Sequence, residues 1–172
     1  TLPTPEFDRL TNIVSTLFDT PIALVSLIEA ERQWFKSCIG LEANETGLDV
    51  SFCKYLETFN KPMVILDARQ DKRFQNNAVV TGEPYIRFYA GAPIITDDGY
   101  FLGSLCAIDT KPREHVPQYL LDTLQSLADT AMDLIRQYDA QLKLAQEQAF
   151  STYIIERNPA LIVRIDTDGT TR

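Results

Sequence analysis

YIRFYAGAPIITDDGYFLGSLCAIDTKPR, residues 85–113, decides how this chain folds. Two apolar runs rich in β-branched and aromatic residues flank Asp97-Asp98-Gly99, and an Asp-Gly step favours a type I′ hairpin turn. If Asp98-Gly99 is a two-residue loop, Asp97 faces Tyr100 and all facing pairs share one sum of residue numbers. Strand side chains alternate between faces, so the hairpin has two predictable surfaces. One carries Phe88, Ala90, Ala92 and Ile94 with Phe101, Gly103, Leu105 and Ala107. It is wholly apolar, and its small residues let helices lie close. The other carries Arg87, Tyr89, Gly91 and Pro93 with Ser104, Cys106 and Ile108, a mixed surface suited to a pocket wall. Pro93 has no amide for a ladder, so its nitrogen should point out of the hairpin or mark a bulge.

The segments before the hairpin supply the rest of a sheet. Thr4-Pro5-Glu6 reads as a helix start, with a capping hydroxyl, Pro at the first helical position and an early acid. Phe7, Leu10, Ile13, Val14, Leu17 and Phe18 follow at helical spacing. Strands IALVSLIEA (22–30) and RQWFKSCIG (32–40) are joined by almost nothing, so they form a second tight hairpin. Trp34 and Phe35 must face opposite sides of it, and sequence leaves open which one faces the core. A polar loop, LEANETGLDV, leads to VSFCKYLE, where Ser51 can cap a short helix. MVILDA (63–68) reads as a buried strand, and the polar connection from Arg69 to Pro84 is long enough to be functional or to hold short helices of its own.

After the hairpin, Pro117 to about Phe150 reads as one helix, roughly 50 Å long at 1.5 Å per residue. Leu120, Leu124, Leu127, Ala131, Leu134, Tyr138, Leu142, Ala145 and Ala149 form a heptad seam with a stutter between Leu134 and Leu142. Its first half is expected to pack on the sheet and its second half to project and pair with a second copy. STYIIERNPALIVRIDTDGTTR then reads as a short helix, an Asn-Pro break, the strand ALIVRID and an Asp-Gly turn; the strand has no evident partner in the chain.

Composition narrows the function classes. Net charge is −8 with the basic residues scattered, which argues against nucleic-acid binding, since that needs a basic face to replace counterions. No run of 18 apolar residues occurs, so no membrane span is expected within this segment. The chain opens without Met and stops inside DTDGTTR, and it reads as a piece of something longer. Cys38, Cys53 and Cys106 match no zinc or C-x-x-C spacing and suggest free thiols in a reducing, cytoplasmic setting.

RQWFKSCIGL, DVSFCKY, LDARQDKRFQNN and TGEPYIRFYAGAPIITDDGYFLGSLCAIDTKPR, in that order, resemble successive signatures of GAF domains in bacterial signalling proteins, over about Phe7 to Ile135. The tail resembles the opening of a PAS domain. The resemblance implies an α+β fold: a central antiparallel sheet of five or six strands, terminal helices on one face, and short helices and loops over a ligand pocket on the other. The boundaries that follow are a GAF domain over 1–135 whose last helix starts near 117, a helical coiled-coil linker over 136–150, and the start of a PAS-like domain over 151–172.

Candidate pocket-lining residues are Phe52, Cys53, Asp67, Phe74, Arg87, Tyr89, Ser104 and Cys106; candidate dimer-helix residues are Leu127, Leu134, Tyr138 and Leu142. Arg87 could meet an anionic ligand in bidentate fashion, or pair with a local acid such as Glu83. Asp67, Asp71, Lys72 and Arg73 could form a polar lip or be simply solvated. Cys53 is weighed as a reactive thiol against a buried small hydrophobe, the second being favoured. His115, the one histidine, reads as a surface or capping residue.

Several family activities lack their motifs here. The cysteine motifs of the free-methionine-sulfoxide-reductase GAF domains are not evident. Bilin attachment in phytochrome-type domains uses Cys followed by His, whereas Cys53 precedes Lys54. The Asn-Lys-x-Phe-x-Asp/Glu motif linked to cyclic nucleotides is absent, since DKRFQNN lacks the acid. The reading is therefore a non-catalytic sensory module with no identified cofactor, binding an unidentified small molecule, pairing as a homodimer and followed by PAS and output domains such as a histidine kinase or diguanylate cyclase. Its alternatives are a structural dimerisation module without ligand and, third, a redox module using Cys53 and Cys106.

Overall fold

In the computed structural model of the chain, which describes residues 5–157, six strands form one antiparallel sheet in the order β3-β2-β1-β6-β5-β4. In chain order the elements are α1 (Pro5–Phe18), β1 (Ile22–Ile28), β2 (Arg32–Ile39), β3 (Glu45–Gly47), α2 (Cys53–Phe59), β4 (Met63–Ile65), α3 (Ala78–Thr81), β5 (Phe88–Ile95), β6 (Phe101–Asp109) and α4 (Gln118–Arg157). The Thr4 cap, the strand ALIVRID and the final Asp-Gly turn lie outside the described residues.

The β5–β6 hairpin keeps the expected facing pairs from Phe88↔Asp109 to Ile94↔Gly103, but by a different turn. The loop is three residues, Asp97-Asp98-Gly99: the Gly99 N–H donates to Thr96 O at 2.9 Å, and Gly99 takes φ +90. This is a type I turn closed by a left-handed glycine, not the two-residue type I′ turn. It alone would shift the register by one. An irregularity between Ile94 and Ile95 restores it, because Ile95 faces Phe101 and Leu102 becomes the extra residue. One consequence corrects the sequence reading: Phe101 packs with the pocket-side cluster rather than on the helix face.

The helix face holds Phe88, Ala90, Ala92, Ile94, Leu105 and Ala107, all buried. Phe7, Leu10, Val14 and Phe18 of α1 are buried as well, at spacings that line one helical stripe. Ser37 ties β2 to α1 by donating to Asp8 Oδ1 at 2.7 Å and bonding Thr11 at 2.9 Å. In α4 the buried stripe is Leu124, Ala128, Ala131 and Met132, and Gln125 Nε2 donates to Pro93 O at 3.3 Å. β4 begins at Met63, opposite Gly91, so no β4 residue lies opposite Pro93 to need its missing amide.

Several boundaries differ from the sequence reading. MVILDA keeps only Met63–Ile65 as strand, because Ala68 and Arg87 close the next step by a single 2.6 Å bond beside the turn Asp67–Gln70. The polar loop contributes β3, which continues the sheet past β2. STYIIER does not start a separate short helix; α4 runs unbroken through it to Arg157, since no Gly or Pro interrupts that stretch. The chain forms two compact units, Thr1–Leu134 and Ile135–Arg172. Among the described residues no helix is long and apolar enough to cross a membrane.

Candidate functional site

The face of the sheet opposite α1 carries Ile22, Leu24 and Ser26 on β1, Tyr89 on β5, and Ser104, Cys106 and Ile108 on β6, in matched register. Over it lie α2, the 41–50 loop and the segment around α3, leaving a cavity of about 220 Å³. Its walls are largely apolar: Leu24, Phe35, Phe52, Tyr89, Cys106 and Ile108 from the sheet side and α2, with Leu41, Val50, Val79, Pro84 and Ile86 closing it. Ala43 and Glu83 line it while remaining exposed, so they stand at its mouth.

Aromatic stacking holds one wall. The Phe52 ring stacks on Phe74 at 4.2 Å and on Tyr89 at 5.1 Å, and Tyr55 meets Phe74 edge-on at 4.9 Å. Such pairs contribute about 0.5–1.5 kcal/mol each beyond their buried area. The Tyr89 ring lies flat across Gly91, where a Cβ would collide with its hydroxyl. Glycine at 91 is thus what lets Tyr89 lie against the sheet instead of filling the cavity.

At the inner end sits a buried polar cluster. Cys53 Sγ is 2.8 Å from Ser104 Oγ, 3.5 Å from Ser26 Oγ and 3.6 Å from the Tyr89 hydroxyl, and it accepts from Gln33 Nε2 at 3.4 Å. Ser51 donates to Gln33 Oε1 and accepts from the Cys53 amide at 3.1 Å. Ser51 therefore starts α2 through its hydroxyl, although the cap position itself is Phe52, one residue later than the sequence suggests. Burial first, and then the neighbouring Cys53, pushes the Tyr89 phenol and the Cys106 thiol well above their ordinary values. Both stay protonated at neutral pH. A Cys106 thiolate, the form a redox or nucleophilic role needs, is disfavoured there.

Of the residues singled out from sequence, Phe52, Cys53, Tyr89 and Cys106 line the cavity. Ser104 lies directly behind Cys53, and Phe74 behind Phe52. Asp67 and Arg87 are not on its wall. Arg87 Nε and Nη2 donate to the two Asp67 oxygens, both at 2.7 Å, so the fork is already closed by a carboxylate four residues past the short strand's start. The acid is Asp67 rather than Glu83, because Ala68 and Arg87 are backbone partners and their neighbourhood brings the two side chains together. Asp71 pairs with Arg73 at 2.6 Å, and the Arg73 guanidinium caps the Phe74 ring at 5.1 Å, so this stretch braces α2 instead of forming a lip. His115 is exposed, and among the described residues no three His, Cys, Asp or Glu side chains converge as metal ligands would.

Gln33, Leu41, Ala43, Thr46 and Val79 were not among the sequence candidates. The β1–β2 turn held a usable signal: Glu29 N–H donates to Arg32 O across Ala30-Glu31, which pairs Ser26 with Phe35 and Ile28 with Gln33. Phe35 and Gln33 thus share the face of Ser26. Trp34 pairs with Leu27 and takes the other side.

Two measurements follow from these contacts. Hydrogen bonds from Arg87 hold the Asp67 carboxyl below the usual carboxylate range. A lowered native value stabilises the fold above the unfolded pKa of about 3.9 and loses that stabilisation as pH falls through the native value. The stability difference between wild type and Asp67→Asn should therefore be full at pH 5 and above, and shrink steadily below pH 4 in urea titrations. A difference independent of pH would mean the pair contributes nothing through charge. Cys53→Ala should cost about 1–2 kcal/mol through a small cavity and a lost partner for Ser104, and native Cys53 should react with maleimide only as slowly as the chain opens. Labelling within seconds on the folded chain would refute the buried arrangement.

A mixed sheet face with short helices over a cavity and terminal helices behind is an α+β arrangement, and the chain belongs to the GAF domain family, matching it over residues 3–135. It is 41% identical over 126 residues to a cyclic di-GMP phosphodiesterase of Pseudomonas aeruginosa; the match takes in 73% of this chain and 22% of that protein. It therefore spans about a fifth of that relative's length. Among solved structures it resembles the GAF domain of an Acinetobacter phosphoenolpyruvate-protein phosphotransferase, with TM-score 0.64 and 16% identity over 78% of this chain and 82% of the other. A free methionine-R-sulfoxide reductase of Neisseria meningitidis in complex with its substrate matches with TM-score 0.59 and 13% identity, over 77% and 78%. At such identities the likeness is one of fold, which different chemistries share.

Proposed function

We propose that this chain is a non-catalytic sensory module of a cytoplasmic signalling protein, which binds a small molecule between α2, α3 and the sheet and reports its presence through α4. The observation that carries this reading is the apolar cavity ending in a buried polar cluster, the usual make-up of a small-molecule site. The output is proposed to lie in the same polypeptide beyond this segment, after a PAS-like domain. The Pseudomonas relative's name suggests that it acts on cyclic di-GMP.

The test needs no knowledge of the natural ligand. Benzene, added to the ¹⁵N-labelled chain, should shift the amides of Phe52, Cys53, Val79 and Ile86, because a largely apolar cavity of this size can admit such a probe. Ala43→Trp, a change at an exposed mouth residue, should abolish those shifts without unfolding the chain. Benzene shifts that are absent, or spread over the surface, would favour the alternative of a structural dimerisation module with a collapsed pocket.

A pairing of two copies through α4 is part of the same proposal. Within Ile135–Arg157, Leu142, Leu144 and Phe150 are more than half exposed, which is costly for a helix that stays alone in water. Asp139 and Lys143, paired at 2.7 Å, sit beside Leu142, where flanking charges set register in a coiled coil.

A further inference from the structure

Resting on that reading of the cavity, we infer that its ligand is uncharged and largely apolar, and carries one group that both donates and accepts a hydrogen bond, of carboxamide or hydroxyl type, held by Gln33. Two observations lead there. Among the described residues lining the cavity there is no Lys, Arg or His, and the one carboxyl side chain, Glu83, is exposed at the mouth. A carboxylate or phosphate inside would be stripped of water with no opposing charge, which costs far more than the apolar walls return. Arg87, the nearby cation that sequence suggested for an anion, is spent on Asp67.

Gln33 supplies the positive half of the argument. It lines the cavity at 4% exposure, so its amide lies almost wholly out of water. A glutamine amide has two N–H donors and two acceptor lone pairs. One N–H goes to Cys53 Sγ at 3.4 Å and one lone pair to the Ser51 hydroxyl. One donor and one lone pair of this cavity-lining amide have no protein partner among the described contacts. Those two contacts fix the amide's orientation, so it offers a preset donor–acceptor pair to a largely apolar space. A carboxamide, lactam or alcohol matches it, and a pure hydrocarbon leaves it unanswered.

Three probes with one ring test this: benzene, benzamide and benzoate, each titrated at neutral pH into the chain and followed by the amides of Phe52, Cys53, Val79 and Ile86. Benzamide is expected to bind about tenfold more tightly than benzene, the size of one well-made buried hydrogen bond, and benzoate to give no shift at those amides. Gln33→Leu should bring benzamide and benzene to within about twofold of each other while benzene still binds. Gln33→Met, unbranched and closer in shape, repeats the comparison should the leucine variant fail to fold, and the wild-type ranking of the three probes stands without either. Benzoate binding as well as benzamide, or a benzamide preference that survives both substitutions, overturns the inference and leaves the cavity as a binding site. If none of the three shifts those amides, the cavity reading itself falls, and the inference with it.

Discussion

Replacing Phe88 with Ala is expected to destabilise the chain by about 3–5 kcal/mol, enough to consume much of the stability of a domain this size. Phe88 is 1% exposed, on the helix face of β5 opposite Asp109, and the Arg113 guanidinium lies 5.2 Å from its ring centre. Arg113 is itself anchored to Asp109 at 2.9 Å and to the Asp19 carbonyl at 2.7 Å. Removing the ring would leave both a void and a guanidinium without the surface it covers, and a pinned neighbour cannot collapse into the space. Urea unfolding at neutral pH measures the loss. A cost below about 1 kcal/mol would mean the ring does not fill the core.

The second large effect concerns α4. If two copies pair along it, Leu142→Asp should weaken dimerisation by about a hundredfold or more, since two carboxylates would then meet at one seam position with no compensating charge. Leu142 is 59% exposed in the single chain, so the fold of the first unit should keep its melting temperature. Leu134→Asp is the harsher companion, because Leu134 is half-buried and its loss tests both packing and pairing. Sedimentation equilibrium over a concentration series reads the change. A wild-type chain that stays monomeric at high concentration removes the pairing proposal, and an unchanged dimer moves the interface away from the seam. The spacing Leu134, Tyr138, Leu142 steps by four twice, a stutter that locally unwinds a coiled coil. Two packings of similar energy at that point would give a bound ligand something to bias.

Individual groups of the site bear on the family activities whose motifs the chain lacks. Cys106 is held protonated by burial, and Cys53 is surrounded by hydroxyls and an amide rather than by a base. The polar cluster that sequence could see only as scattered Ser, Gln, Cys and Tyr thus serves as the inner end of the cavity.

Residues near one another in the chain decided what could be read without coordinates. The alternation of 88–95 and 103–109 assigned the two faces of the central hairpin, because a pleated strand leaves no choice once one face is wholly apolar. Even there, the pairing came out as expected only because a three-residue turn and an extra residue at Leu102 cancel, and Phe101, inside that irregularity, changed sides. The stripe Phe7, Leu10, Val14 and Phe18 announced α1 by helical period in the same way. Tertiary structure alone decided the rest. Whether Phe35 or Trp34 faces the cavity depends on how β1 pairs with β6, a contact between segments some eighty residues apart with no local signature. Arg87 found Asp67 across two chain segments, so its fork was closed before any ligand could claim it. Gln33 became the polar end of the cavity because the start of α2 brings Ser51 and Cys53 to its amide. A hydrogen-bonding group advertises its chemistry in the sequence, but its free valences are set only by which partners the fold has already brought to it.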